Sequence, residues 1–134
     1  MFSLHHVSLS VMDLEKSIKF YSCLGFKLVL IWESKDKKNK IAHLKMQNNF
    51  LELFYYIDHK LHKNNESLED DLKTVGIKHF ALKVESIKEA EKLFRANGFS
   101  NDIQVKLGKT GIKYFFAKDP NGIFLEIVED NRVF

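Results

Sequence analysis

The chain contains one sequence pattern twice, and this repeat limits the folds that it can adopt. The stretches HHVSLSVMDLEKSIKFYSCLGF and KHFALKVESIKEAEKLFRANGF each begin with alternating apolar and polar residues and then change to helical spacing. An offset of 73 residues aligns His6 with His79 and runs without a gap to the pair Phe26 and Phe99. Both halves close on similar strings, FLELF and FLEIV. The sequence therefore predicts one supersecondary unit that is used twice.

Each unit is predicted to form a strand, a helix and three further strands, which makes the fold class α+β with two βαβββ modules. Asp13 and Ser86 are the predicted N-caps of the two helices, and Gly25 and Gly98 lie where each helix would end in a left-handed conformation. The three later strands are expected at residues 27–33, 41–46 and 50–57 in the first unit, and at residues 103–107, 113–117 and 124–129 in the second.

The length of 134 residues predicts a single domain, with module one at 1–57, a linker at 58–76 and module two at 77–134. The linker is polar and charged, which is typical of an exposed segment or a short surface helix. His59 and His62 lie there at helical spacing. No carboxylate or thiolate is placed to complete a second metal site with them, so we interpret both as solvent-facing.

Composition and charge argue against nucleic acid and membranes as partners. A formal net charge of +3 is too small to indicate a nucleic-acid-binding protein. The first strand pattern starts within about five residues, which leaves no room for a signal peptide, and no apolar run approaches the ~20 residues of a membrane span. The single cysteine, Cys23, excludes an internal disulfide and fits a reducing compartment. We therefore expect a cytoplasmic protein with no nucleic-acid or membrane partner, and we expect Cys23 to be buried at the end of the first helix.

Strand alternation places one His and one Glu of each unit on the side opposite the apolar residues. These candidate metal ligands are His6, Glu52, His79 and Glu126. Burying a glutamate between leucines and phenylalanines is costly unless a cation satisfies it. Taken alone, each residue is better explained as a solvent-facing carboxylate or an ordinary strand histidine. Because the repeat produces the same pair twice, the sequence predicts one metal site built from all four.

The donor set restricts the metal. Two imidazoles and two carboxylates without a thiolate suit one divalent ion per site among Ni²⁺, Co²⁺, Zn²⁺, Mn²⁺ and Fe²⁺. Four protein ligands leave positions for exchangeable waters in an octahedral shell, as a catalytic site requires and a closed structural site lacks.

The strings HHVSLSVMDLEKSIKFYSCLGF, FLELFYY, GIKHFALKV and DPNGIFLEIVED resemble the glyoxalase/bleomycin-resistance/extradiol-dioxygenase group, the vicinal oxygen chelate superfamily. The resemblance covers nearly the whole chain apart from the linker. It implies that the two modules form a curved, half-barrel-like mixed sheet around the metal. It also implies that the four candidate residues occupy the ligand positions of glyoxalase I-like metalloproteins, and that the chain forms a homodimer.

The activity implied by the resemblance is that of a divalent-metal-dependent isomerase or lyase similar to lactoylglutathione lyase. Its small-molecule substrate would be the adduct of a 2-oxoaldehyde and a thiol or a similar vicinal-oxygen compound. Glu126, or else Glu52, is expected to move the proton between adjacent carbons. Other activities of the superfamily remain alternatives: an epimerase, a thiol transferase or a dioxygenase. The alternative from a different class is a non-catalytic protein that binds a small molecule without a metal.

One position departs from the family pattern. Bacterial glyoxalase I has an arginine, used in glutathione recognition, four residues after its first His ligand, and this chain has Ser10 there. Lys83 is the corresponding residue of the second unit and is expected to substitute in part. Phe54 shares the ligand face and is expected to line the substrate pocket, with ordinary core packing as the alternative role.

Overall fold

The computed structural model describes residues 1–61 and 67–134. The chain divides into two compact units, Met1–Asn64 and Asn65–Phe134. The first unit comprises β1 (His6–Ser10), α1 (Leu14–Cys23), β2 (Lys27–Glu33), β3 (Asn39–Met46) and β4 (Asn49–Tyr56). The second comprises α2 (Leu68–Lys73), β5 (Phe80–Lys83), α3 (Ile87–Ala96), β6 (Lys106–Leu107), β7 (Lys113–Lys118) and β8 (Phe124–Glu129).

The two units share one sheet topology. The strand order is β1-β4-β3-β2 in the first unit and β5-β8-β7-β6 in the second. In each sheet the first strand pairs in parallel with the last, and the remaining pairs are antiparallel. The structure therefore confirms the predicted α+β class and the predicted βαβββ order of each unit.

The helix ends follow the capping residues that the sequence predicts. The Asp13 carboxylate accepts the backbone N–H of Lys16 at 3.0 Å and starts α1. The Ser86 hydroxyl accepts the backbone N–H of Glu89 at 3.3 Å and starts α3. Gly25 and Gly98 follow the helices with φ of 102° and 67°, a region that glycine adopts without steric cost.

The core of each unit forms where a helix, α1 in the first unit and α3 in the second, covers one face of the sheet. Tyr21 of α1 is 0% exposed, and α1 contacts β2, β3 and β4. Phe94 of α3 is 1% exposed and meets Phe115 of β7 edge to face, with 5.3 Å between ring centroids. Because strand side chains alternate, the residues between the buried ones point to the opposite face of the sheet. That face carries the candidate ligands.

The predicted strand at 103–107 is shorter than expected. Only Lys106–Leu107 pairs with β7. The Arg95 guanidinium donates to the carbonyl oxygens of Asn101 at 2.8 Å and Ile103 at 3.1 Å, so a side chain replaces a neighbouring strand there. Ile103 is nevertheless 6% exposed. Ile103 is therefore buried by packing, although most of the segment does not pair with a neighbouring strand.

The expectation that Cys23 is buried is wrong, because its side chain is exposed. The buried side of α1 contains Leu14, Phe20 and Tyr21. Cys23 follows Tyr21 by two residues, a turn of about 200° around the helix, and therefore faces away from the core.

The predicted linker at 58–76 contains the short helix α2, which has no buried residue and so fits the predicted surface helix. His59 is exposed, and its Nδ1 lies 2.9 Å from the carbonyl oxygen of Tyr56. His62 lies outside the described residues. No helix in residues 1–61 or 67–134 is long and apolar enough to cross a membrane.

Glu129, at the end of β8, links that strand to the start of α3. Its Oε2 accepts the backbone N–H of Ile87 at 2.9 Å, and its Oε1 accepts from Lys113 Nζ at 3.0 Å. These bonds, led by the one from Ile87, lower the pKa of Glu129 below its usual 4.5. A carboxyl whose folded-state pKa is depressed stabilises the fold above its unfolded-state pKa. That contribution disappears as the pH falls through the folded-state value.

We expect Glu129→Gln to lower the thermal unfolding temperature at neutral pH, because the charge that strengthens both hydrogen bonds is lost. The difference from the wild type should shrink as the pH falls from the usual carboxyl pKa of 4.5 through the lowered pKa of Glu129, where the carboxyl itself becomes neutral. Thermal unfolding followed by circular dichroism across this range measures it. Glu85→Gln, at an exposed carboxylate, is the control. A deficit that is the same at neutral and acid pH would contradict the interpretation.

Candidate functional site

In the first unit the pairing of β1 with β4 brings a histidine and a glutamate together. Ser8 lies opposite Glu52 in the parallel register. His6 Nε2 is 3.6 Å from Glu52 Oε2, and the Ser8 hydroxyl donates to the same oxygen at 2.7 Å. The Glu52 side chain is 19% exposed. The structure therefore joins His6 and Glu52 on the sheet face that the sequence predicts.

A second histidine, His43, binds the other oxygen of this carboxylate. It lies directly opposite Glu52 in the antiparallel pairing of β3 with β4, and its Nε2 is 2.9 Å from Glu52 Oε1. His43 was not predicted as a site residue. Its direction could have been, because the apolar Ala42 and Leu44 flank it in the strand and alternation turns it toward the ligand face. Both neighbours are 0% exposed.

These neighbours favour the ionised form of Glu52. The Ser8 hydroxyl has the largest effect in lowering the pKa of Glu52 below 4.5, and His43 and His6 add to it, while partial burial acts in the opposite direction. Hydrogen bonds that point at a carboxylate stabilise its charged form. Glu52 is therefore an anionic donor at neutral pH.

His6 is oriented by the histidine that precedes it, which the sequence analysis also overlooked. The Nδ1 atoms of His5 and His6 are 2.9 Å apart, so one ring donates to the other. His5 in turn stacks on Phe50, with 5.1 Å between ring centroids. This hydrogen bond engages Nδ1 of His6, so that its Nε2 points toward Glu52.

The second unit holds the corresponding pair in a less polar setting. His79 Nε2 lies 3.1 Å from Glu126 Oε2, and the side chains are 23% and 14% exposed. Ala81 and Phe116 lie opposite Glu126 in the register, at the positions that Ser8 and His43 occupy opposite Glu52. Phe116 meets the His79 ring edge to face, with centroids 4.9 Å apart. The two His–Glu pairs are thus equivalent in backbone position and different in surroundings.

The geometry of each pair fits two neighbouring ligands of a divalent ion. Metal–ligand bonds of about 2.0–2.2 Å at right or tetrahedral angles place two donors roughly 2.8–3.6 Å apart. The two pairs measure 3.6 Å, at the upper end of that range, and 3.1 Å. His79 Nδ1 is buried without a hydrogen-bond partner in the described part of the chain, which is rare for a buried polar atom. Within residues 1–61 and 67–134, no group of three or more His, Cys, Asp or Glu side chains is gathered as a metal site.

The residues expected to contact substrate lie at strand positions near these pairs. Ser10 is exposed at the end of β1 and lies opposite Phe54 in the register with β4. Phe54 is half-buried and lies nearly parallel to Tyr56, with 6.5 Å between ring centroids. Lys83 is exposed at the end of β5, in the second unit.

The sequence profile of the Glyoxalase/Bleomycin resistance protein/Dioxygenase superfamily matches residues 3–127. The chain belongs to this superfamily. A protein named probable lactoylglutathione lyase from Vibrio parahaemolyticus is 31% identical over 135 residues, which cover 95% of this chain and 90% of the relative. The lactoylglutathione lyase of Escherichia coli O157:H7 is 30% identical over 133 residues, covering 93% and 90%.

Solved structures of the superfamily have the same fold. A glyoxalase family protein from Enterococcus faecalis is 27% identical and aligns with a TM-score of 0.76 over 95% of this chain and 97% of its own. The trypanothione-dependent glyoxalase I of Leishmania major is 26% identical, with a TM-score of 0.68 over 96% of this chain and 87% of that one. These likenesses confirm the glyoxalase fold expected from the sequence.

We expect Ser8→Ala to raise the pKa of Glu52 toward 4.5, because the hydroxyl is the largest of the influences that lower it. NMR titration of the Glu52 carboxyl carbon in metal-free protein measures the change. Ser10→Ala, two residues along the same strand, is the control and should leave this pKa unchanged. An unchanged Glu52 pKa in Ser8→Ala would show that the hydroxyl does not stabilise the carboxylate.

Proposed function

We propose that this chain is a divalent-metal-dependent glyoxalase I-like isomerase or lyase, in which His6, Glu52, His79 and Glu126 hold one metal ion per site. The observation that carries the proposal is the His–Glu pair at equivalent positions of two repeated units. Membership of the superfamily and the lactoylglutathione lyase names of relatives about 30% identical support it. Nickel, cobalt, zinc, manganese and ferrous iron all suit this nitrogen and oxygen donor set.

When bound, the metal would supply fixed positive charge where an oxyanion develops on the substrate. The reaction moves a proton between adjacent carbons, so one of the two carboxylates has to act as the base. Ser8 and His43 bind the oxygens of Glu52. The hydrogen-bond partner of Glu126 in the described part of the chain is His79 alone. Glu126 is the freer group, and we assign it the proton transfer.

We expect protein purified without a His tag to bind about one divalent ion per chain, as the single site requires. Alanine at His79 or Glu126 should abolish tight uptake, since each removes a proposed ligand. Elemental analysis and titration with Zn²⁺ or Co²⁺ measure the binding. His59→Ala combined with His62→Ala is the control and should bind like the wild type. If that double variant loses the metal and His79→Ala keeps it, the proposed ligand set is wrong.

We also propose that the chain forms a homodimer through β2. The apolar side chains of this edge strand are 42–54% exposed, namely Leu28, Val29, Leu30, Ile31 and Trp32. An exposed apolar edge strand can pair with strands of other molecules and cause aggregation. Natural proteins avoid this by covering the edge or by placing charged residues on it. A second copy related by twofold symmetry covers it in a closed contact.

Size-exclusion chromatography with light scattering should give the mass of a dimer for the wild type and a shift toward monomer for Ile31→Lys, because a lysine introduces charge into the apolar strand. Leu107→Lys is the matched control, since Leu107 is 73% exposed on β6, the corresponding edge strand of the second unit. A monomeric wild type, or equal dissociation of both variants, would contradict the proposed interface.

The substrate thiol is proposed to differ from glutathione. Ser10 cannot make the bidentate, charge-assisted contact that an arginine makes with a carboxylate. Lys83 supplies positive charge without that planar geometry. We infer a preference for the adduct of another thiol or for a small anionic 2-oxo compound.

Steady-state assays with Ni²⁺-, Co²⁺- and Zn²⁺-loaded protein should therefore show weak or no turnover of the glutathione–methylglyoxal adduct. Ser10→Arg should raise kcat/KM on this adduct roughly ten- to hundred-fold, the value of one hydrogen bond to a charged group. Ser10→Lys is the control, because it adds positive charge without the planar, bidentate geometry of arginine, and it should gain less than Ser10→Arg. A wild-type kcat/KM of ~10⁶ M⁻¹ s⁻¹ or more on the glutathione adduct would refute the inference.

A further inference from the structure

We propose that His43 is a positioning residue, which holds the Glu52 carboxylate in the orientation that presents Oε2 beside His6. Glu52 would then be a metal ligand of fixed orientation. The proposal deepens the metal-binding function proposed above and rests on it. It concerns a residue that lies outside the four proposed ligands.

The two oxygens of Glu52 are bound from opposite sides of its strand. On the β3 side, His43 Nε2 donates to Oε1 at 2.9 Å. On the β1 side, Ser8 donates to Oε2 at 2.7 Å, and His6 Nε2 lies 3.6 Å from the same atom. The terminal torsion of a glutamate is otherwise broad and nearly free. Bonds to both oxygens remove that freedom, because rotating the carboxylate breaks them together.

The second unit has the same strand topology but lacks the side chains that bind both oxygens of Glu52 in the first unit. Phe116 takes the place of His43 opposite Glu126, and Ala81 takes the place of Ser8. The sheet topology is nevertheless the same in both units. A histidine at this strand position is therefore not needed to form the sheet, and the His43 side chain is 35% exposed, outside the core. What His43 adds is its hydrogen bond to Glu52.

Groups that hydrogen-bond a metal ligand set its orientation, and their loss typically weakens metal affinity or activity 10- to 100-fold. A fixed Glu52 keeps its ligand oxygen in place. Among the described residues Glu126 has one hydrogen-bond partner, His79, and so keeps more freedom to move a proton. The different roles of the two glutamates then follow from two differences between the repeat units. Ser8 in the first unit corresponds to Ala81 in the second, and His43 corresponds to Phe116.

The test compares His43→Phe, which introduces the residue of the second unit, with His43→Gln, which keeps an N–H donor. Zn²⁺ affinity is measured by competition with a chromophoric chelator. We expect His43→Phe to bind Zn²⁺ about 10- to 100-fold more weakly than the wild type and His43→Gln to regain most of the loss. Thermal unfolding of both variants in the metal-free state serves as the fold control. Unchanged affinity in His43→Phe, or equal weakening in both variants, would overturn the positioning role.

A readout without metal separates this proposal from the metal-binding function. High-resolution crystal structures of the metal-free proteins should show one Glu52 conformer in the wild type and in His43→Gln, and more than one in His43→Phe. If the wild type binds no Zn²⁺ but the conformers behave in this way, the metal function fails and the positioning of Glu52 stands. A single Glu52 conformer in His43→Phe would refute the positioning role whatever the metal result.

Discussion

The parallel pairing between the first and last strands of each unit is the constraint on which the candidate site depends. Residues 6 and 52, and residues 79 and 126, are far apart in sequence and come together because β1 pairs with β4 and β5 pairs with β8. The helix between the strands covers one face of the sheet with apolar side chains. The imidazoles and carboxylates are left on the other face, where a partly buried anion requires a partner.

The repeat gives both units the same backbone, and a few side chains make the two pairs chemically different. Glu52 is surrounded by a hydroxyl and two imidazoles, which lower its pKa. Glu126 lies beside one imidazole and the apolar residues Ala81 and Phe116. A carboxylate held at both oxygens suits a permanent ligand, whereas one held by a single partner suits a group that exchanges protons. We therefore propose that the two glutamates took different roles on the same scaffold.

Alternation and helical spacing were sufficient to predict the class, the βαβββ order of elements along the chain and the face that carries His6, Glu52, His79 and Glu126, because these depend on local periodicity. Asp13 and Ser86 were predictable for the same reason, since a cap bonds within its own turn. The bond from His43 to Glu52 depends on the register between β3 and β4, which the sequence pattern does not specify. The side of α1 on which Cys23 lies, and the replacement of a strand partner by Arg95, depend on tertiary packing in the same way.

The central proposal is that each unit contributes one histidine and one glutamate to a common metal ion. X-ray absorption spectroscopy of the Zn²⁺-loaded protein measures the number of imidazoles on the metal directly, because imidazole rings give a recognisable scattering pattern. The account predicts two imidazoles in the wild type and one in whatever metal remains bound by His6→Ala or by His79→Ala. Three imidazoles in the wild type, or two that persist in His79→Ala, would contradict it.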